Sequence, residues 1–135
     1  MPLARIDLLA GKTPDYRAQV GEVVYQALLE CFGVPQNDRF QVIAEHRNAD
    51  FVFDRDYLGV HRSDDCIFIQ ITLNAGRTVA MKQRFYKAVA DGLHDKLKLR
   101  REDVLINLVE VSKENWSFGN GIAQYATPAT ETQVT

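Results

Sequence analysis

The sequence predicts an α/β fold made from a duplicated β-α-β unit: a four-stranded sheet with two helices on one face, plus short hairpins. Three observations predict it. Shifted by 65 residues, the chain falls on itself without a gap, so that 6–46 lies over 71–111. Ile6 meets Ile71, Leu8 meets Leu73, AGKT (10–13) meets AGRT (75–78), and Val24, Leu28, Asp38 and Glu45 meet Val89, Leu93, Asp103 and Glu110. Each copy reads as apolar strand, glycine turn, one-sided helix and strand. A length of 135 residues, 46% of them hydrophobic, fits one compact domain able to bury a core.

The elements follow in order. The opening strands, about 3–9 and 66–73, are apolar and rich in β-branched residues. Thr13 and Thr78 are natural N-caps, because each hydroxyl can accept a backbone N–H of the first helical turn. Pro14 suits the first helical position, where no N–H is needed. Val20, Val24, Ala27, Leu28 and Cys31 recur at helical spacing in the first copy, and Met81, Phe85, Ala88, Val89 and Gly92 in the second. The closing strands are 40–46 and 104–111, and a strand, helix and strand of this length makes a parallel crossover. Ile6, Leu8, Ile69, Ile71 and Leu73 look too many for the helix side alone. The opposite sheet face is then apolar and predicts self-association. Residues 50–60 alternate and read as a short hairpin, and 115–125 is rich in glycine and aromatics. The whole reads as a single domain over 1–127, with pseudo-repeats of about 2–46 and 66–111 and a polar tail over 128–135.

A net charge of −2 without a lysine or arginine block argues against nucleic acid and anionic membranes as partners. The only cysteines, Cys31 and Cys66, sit in apolar surroundings and read as two buried thiols of a reducing compartment. The start, MPLARIDLLAGKT, lacks the pattern of a secretory leader, and no stretch approaches a membrane span, so the expected location is cytoplasmic. His46, His61 and His94 lack metal-ligand spacing and read as structural or solvent-facing; neither a metal nor a cofactor is expected.

Two residues carry chemistry by their own nature. Removal of Met1 would leave Pro2 as a secondary amine with a reference pKa of about 8. Burial and a neighbouring arginine lower that value, giving a base suited to moving protons between carbon and oxygen. Position 67 of the second copy is Ile, so one such amine is available per chain. The plain alternative is a proline that merely follows the start residue. Arg77 lies in the turn that Thr78 begins as a helix, where a guanidinium beside unpaired backbone N–H groups can grip a carboxylate. Its counterpart is Lys12, and one solvated cation per turn is the plain alternative there.

The doubled unit with a penultimate proline resembles the tautomerase superfamily, closest to its malonate semialdehyde decarboxylase-like branch. The carrying residues are PL (2–3), VPQNDRFQ (34–41), HR (46–47), GVHRS (59–63), GRT (76–78) and LVEVSKENWSFGNGIAQY (108–125). The resemblance implies a homotrimer in which Pro2 is the catalytic proton carrier and Arg77 binds the substrate carboxylate. It further implies that Asp38 lies near Pro2 and favours its cation, and that Trp116, Phe118 and Tyr125 wall the site. Asp38 as an exposed turn residue like Asp103, and the aromatic block as core packing, remain the alternatives. The branch's decarboxylases carry a second arginine in an R-P-R-T run; here the run is LNAGRT, with Asn74 near the missing arginine. That departure counts against decarboxylase specificity. The expected function is keto–enol tautomerisation of a small oxo or enol carboxylate, with possible hydratase or decarboxylase activity. A malonate semialdehyde-type decarboxylase is the second enzyme reading, and a trimeric interaction protein the non-enzyme one.

Overall fold

The computed structural model describes residues 2–126; Met1 and the tail, with the sequence reading made for it, lie outside the described residues. The chain runs β1 (Leu3–Leu9), α1 (Pro14–Phe32), β2 (Gln41–His46), β3 (Asp56–Tyr57), β4 (Val60–His61), β5 (Ile67–Asn74), α2 (Val79–Leu97) and β6 (Val104–Val111). Short 3-10 turns fall at Asn48–Asp50, Arg101–Asp103 and Lys113–Asn115. The main sheet has the order β2-β1-β5-β6, and β3-β4 form a separate small hairpin.

The duplication is reproduced in detail. Both helices have 19 residues and begin 65 positions apart. Thr13 Oγ1 accepts from Tyr16 N at 3.0 Å, and Thr78 Oγ1 from Met81 N at 3.2 Å. Each helix ends in a left-handed residue, Gly33 (φ 63°) and Lys98 (φ 59°). Arg17 pairs with Glu45, and at the equivalent place Lys82 pairs with Glu110. Within each copy the strands are parallel, and the copies join through an antiparallel β1-β5 ladder that sets Ile6 opposite Ile69.

That ladder corrects the expectation for the sheet faces. Side chains alternate along a strand, so Ala4, Ile6 and Leu8 share one face with Ile67, Ile69, Ile71 and Leu73. All seven are buried in the core with Val20, Val24, Phe85, Val89 and Leu93 of the helices. The residues read as too many for the helix side therefore all point to it. The opposite face has a different and more mixed set. Leu3 (42% exposed), Val42 (46%), Leu105 and Val109 stand there, interleaved with Arg5, Asp7, Gln70 and Asn107. Only part of the 50–60 segment forms a hairpin, which spans 56–61 and turns on Leu58 and Gly59, both at positive φ. Phe51 and Phe53 instead pack on Phe68, at 4.5 and 6.4 Å between ring centroids.

Two further expectations change. Cys31 is half-buried, whereas Cys66 is buried as expected; burial pushes the Cys66 thiol up to about 11, so it stays protonated and unreactive at neutral pH. Asp103 is not an exposed turn residue. It is fully buried and accepts from Ser63 N and Ser63 Oγ, both at 2.6 Å. A buried carboxylate needs such donors to offset its lost hydration. Among the described residues no helix is long and apolar enough to cross a membrane.

Candidate active site

Pro2 is buried at the head of β1, a central strand of the sheet. Leu3 faces Thr72 across the ladder, so Pro2 sits at the end of the sheet where β5 runs out towards Asn74. On its other side Ala4 N donates to Phe40 O at 2.9 Å, which brings the loop before β2 alongside. That loop is bent by Gly33, by Asn37 at φ 68° and by a turn in which Asp38 N donates to Pro35 O at 3.3 Å. Arg39 is held away on α1 by Glu22 at 2.6 Å and lies over the Tyr25 ring. Asp38 is half-buried and lines a hollow of about 270 Å³ with Pro35, Phe40, Phe118 and Tyr125.

The aromatic block closes the same corner. Gly119, Asn120 and Gly121 all have positive φ, and this run of turn residues doubles the chain back. Gln124 Oε1 accepts from Phe118 N at 2.9 Å and pins the bend. Trp116 stacks on Phe118 at 5.6 Å, and Tyr125 meets Phe118 edge-on at 4.9 Å. An adjoining hollow of about 260 Å³ is lined by Leu3, Phe40, Trp116, Ser117 and Phe118. Phe40 and Phe118 belong to both hollows, so Asp38, the aromatic trio and the residue after Pro2 surround one apolar recess. The recess is open, with Leu3, Phe40 and Tyr125 exposed at its edge; a substrate seated in it would displace water and so strengthen charge interactions there.

Arg77 lines neither hollow and is tied to their wall through Asn74. Its Nη1 donates to Asn74 O at 2.8 Å, while Asn74 Oδ1 accepts from Trp116 Nε1 at 2.8 Å. The guanidinium carbon lies 5.4 Å from the Phe32 ring centroid. Among the described residues Arg77 forms no ion pair, because the nearby Glu110 is engaged by Lys82 and by Gly76 N. The Lys82 ammonium holds the Glu110 carboxyl below its usual value, with Gly76 N–H and Arg77 adding to the effect.

The equivalent positions of the two copies serve as an internal comparison. Lys12, equivalent to Arg77, is bound to Asp65 at 2.6 Å, and that bond raises its pKa. Asp103, equivalent to Asp38, is consumed by Ser63. Lys12 and Asp103 are thus met by groups just ahead of β5, whereas the Arg77 guanidinium has no carboxylate partner among the described residues. Volume alone would mislead: a larger hollow, about 410 Å³, is an open groove between the helices near Glu22, Glu30, Gly92 and Lys96. His46 bonds Asp7 at 2.6 Å and His61 bonds Asp56 at 2.5 Å. Among the described residues no cluster of histidine, cysteine and acid side chains could hold a metal ion.

Sequence reasoning missed Phe40 and noted Asn74 only as standing near the missing arginine. Phe40 bridges both hollows, and Asn74 connects Arg77 to Trp116. The departure of LNAGRT from the resembled pattern was the one available signal for Asn74.

A family model described as tautomerase enzyme matches residues 38–119, and a second with the same description matches residues 2–60. The chain is 38% identical over 124 residues to the probable tautomerase YusQ of Bacillus subtilis (strain 168), covering 92% of this chain and 98% of that one. Its fold superposes with a TM-score of 0.85 on the crystal structure of FG41 malonate semialdehyde decarboxylase inhibited by 3-bromopropiolate, at 35% identity over 91% of this chain and 93% of that one. A fused 4-OT symmetric trimer, 22% identical over 89% of this chain and 94% of that one, shares the fold at a TM-score of 0.73. On these matches the chain belongs to the tautomerase enzyme family.

Proposed function

We propose that this chain is a proton-transfer enzyme for small oxo and enol carboxylates, using the amine of Pro2 after Met1 is removed. The observation that carries the reading is the contrast between the two turns: Lys12 is spent on Asp65, whereas Arg77 has no acidic partner among the described residues. Arg77 grips the substrate carboxylate. Pro2 takes a proton from the enol oxygen or the adjacent carbon and returns it to the other. Asp38 adjusts how readily the amine holds that proton, and Trp116, Phe118 and Tyr125 cover the reacting centre.

Decarboxylation is the second reading, favoured by the likeness to FG41 malonate semialdehyde decarboxylase. A cationic Pro2 would polarise the carbonyl of a 3-oxo acid while the carboxylate departs as carbon dioxide and a proton returns to carbon. Against it stands Asn74, a neutral side chain beside a guanidinium with no carboxylate partner among the described residues. Rates on an enolised aromatic 2-oxo acid and on malonate semialdehyde separate the two. Measurable but modest tautomerisation with slow decarboxylation is expected, and the opposite ranking makes the chain a decarboxylase. A chain inert on every acid is the outcome for an interaction protein.

The electrostatic part has its own test. A carboxylate near an amine favours the cation, so Asp38→Asn should lower the Pro2 pKa by about one unit. Nitrogen-15 titration of Pro2 by NMR reads this directly. An unchanged titration removes Asp38 from the mechanism.

Assembly is proposed to be a homotrimer. The face away from the helices exposes Leu3, Val42, Leu105 and Val109, and beside it Val52, Tyr57 and Leu58 are also exposed. A patch of this kind is normally covered by a partner. Light scattering should report about three times the 15.3 kDa chain mass. A monomer at micromolar concentration contradicts the proposal.

A further inference from the structure

Asn74 is buried, at 7% exposure, although it ends a strand beside an open turn. An indole N–H can only donate, so the group facing Trp116 Nε1 is the amide oxygen and not the amide nitrogen. The same residue's main-chain carbonyl holds Arg77 Nη1. One residue thus fixes both the cation and the first ring of the aromatic wall, whose positions lie 39 residues apart in sequence. Other cations nearby are already spent: Arg39 on Glu22 and Lys82 on Glu110. The hollows that Trp116 and Phe118 wall are lined by Leu3, Phe40 and Tyr125 and by the Asp38 carboxylate. A second substrate carboxylate there would meet the Asp38 carboxylate, whereas an apolar end would cover the exposed rings favourably.

We infer that Asn74 is a positioning residue that locks Arg77 and Trp116 into one unit and so makes the site select acids with one carboxylate and an apolar end. The inference rests on the proposed proton-transfer reading. Trp116 is the chain's only tryptophan, so its emission reports this contact directly. In the full-length chain starting at Pro2, Asn74→Leu removes the acceptor at similar volume, whereas Asn74→Asp keeps it. Acrylamide quenching of Trp116 should rise at least about twofold in Asn74→Leu and stay as in the wild type in Asn74→Asp. For phenylpyruvate, Asn74→Leu should raise KM about tenfold with kcat changed less than about threefold, since a buried bond is lost but Pro2 is untouched. Asn74→Asp should also raise KM, through its charge beside Arg77. The wild type should prefer phenylpyruvate to the dicarboxylate oxaloacetate by at least about tenfold. Unchanged quenching and KM in a folded Asn74→Leu chain, or preference for oxaloacetate, overturns the inference. If the wild type turns over neither acid, the proton-transfer reading fails. Trp116 quenching and calorimetric affinities for the two acids then decide the Asn74 inference separately.

Discussion

A chain that keeps Met1 should be slower by about 10² to 10⁴-fold than the same chain starting at Pro2, the range assigned to a positioned general acid or base. With Met1 attached, the Pro2 nitrogen is an amide whose lone pair is delocalised into the carbonyl, and it cannot take a proton. Once Met1 is gone, the same atom is a secondary amine with a reference pKa of about 8. Pro2 is buried at the head of β1, and a free amine kept there would have its cation disfavoured by burial. A cleavable N-terminal extension makes the comparison within one preparation. Before cleavage the rate should be near background, and after cleavage it should rise while the intact mass falls to that of 2–135. The pH profile should gain an amine titration only in the cleaved form. Full activity with Met1 retained would end the terminal-amine mechanism.

Much of this architecture is legible in the sequence because the duplication is ungapped. An offset of 65 residues carries Pro14–Phe32 onto Val79–Leu97 without adjustment, and both threonine caps with it. The strand spacing also contains the answer that was misread. Ile6 and Leu8, and Ile69, Ile71 and Leu73, are each two apart, so each set must share a face. Only the antiparallel register, Ile6 opposite Ile69, shows that the two sets share the same one. Asp38 and Asp103 are identical in sequence and similar in local turn, yet Asp103 is buried by Ser63, 40 residues away. Contacts at that separation leave no local pattern. The same holds for Asn74 and Trp116, which become neighbours only when the aromatic block folds back over the end of β5.

The duplication also bears on which charged groups are already met within the chain. Lys12–Asp65 and Asp103–Ser63 satisfy polar groups of the first turn and the second loop with partners supplied by 63–65, just ahead of β5. The recess at the head of β1 is left to the aromatic block of 116–125, which brings rings and no acid. A guanidinium tied through Asn74 to the wall of that recess, with no carboxylate partner among the described residues, is suited to an anion delivered from outside.

Arg77→Ala should then lower kcat/KM for acid substrates by about 30- to 1,000-fold, the loss of roughly 2–4 kcal/mol of charge-assisted contact. The effect should fall mainly on KM if the carboxylate is held equally in the ground and transition states. It should reach kcat as well if charge builds up near the carboxylate as the proton moves. Arg77→Lys should recover little, since an ammonium cannot offer two parallel N–H groups to one carboxylate. It would also lose the planar packing of the guanidinium over Phe32. Stability should change little in either variant, because the guanidinium is half-exposed and its one described bond is to a main-chain carbonyl. Steady-state kinetics on mono-acids, with a neutral ester of the same acid as control, separates anchoring from general damage. The ester should react equally slowly with the wild type and Arg77→Ala. Wild-type kinetics of Arg77→Ala on every acid tried would show that the carboxylate is held elsewhere.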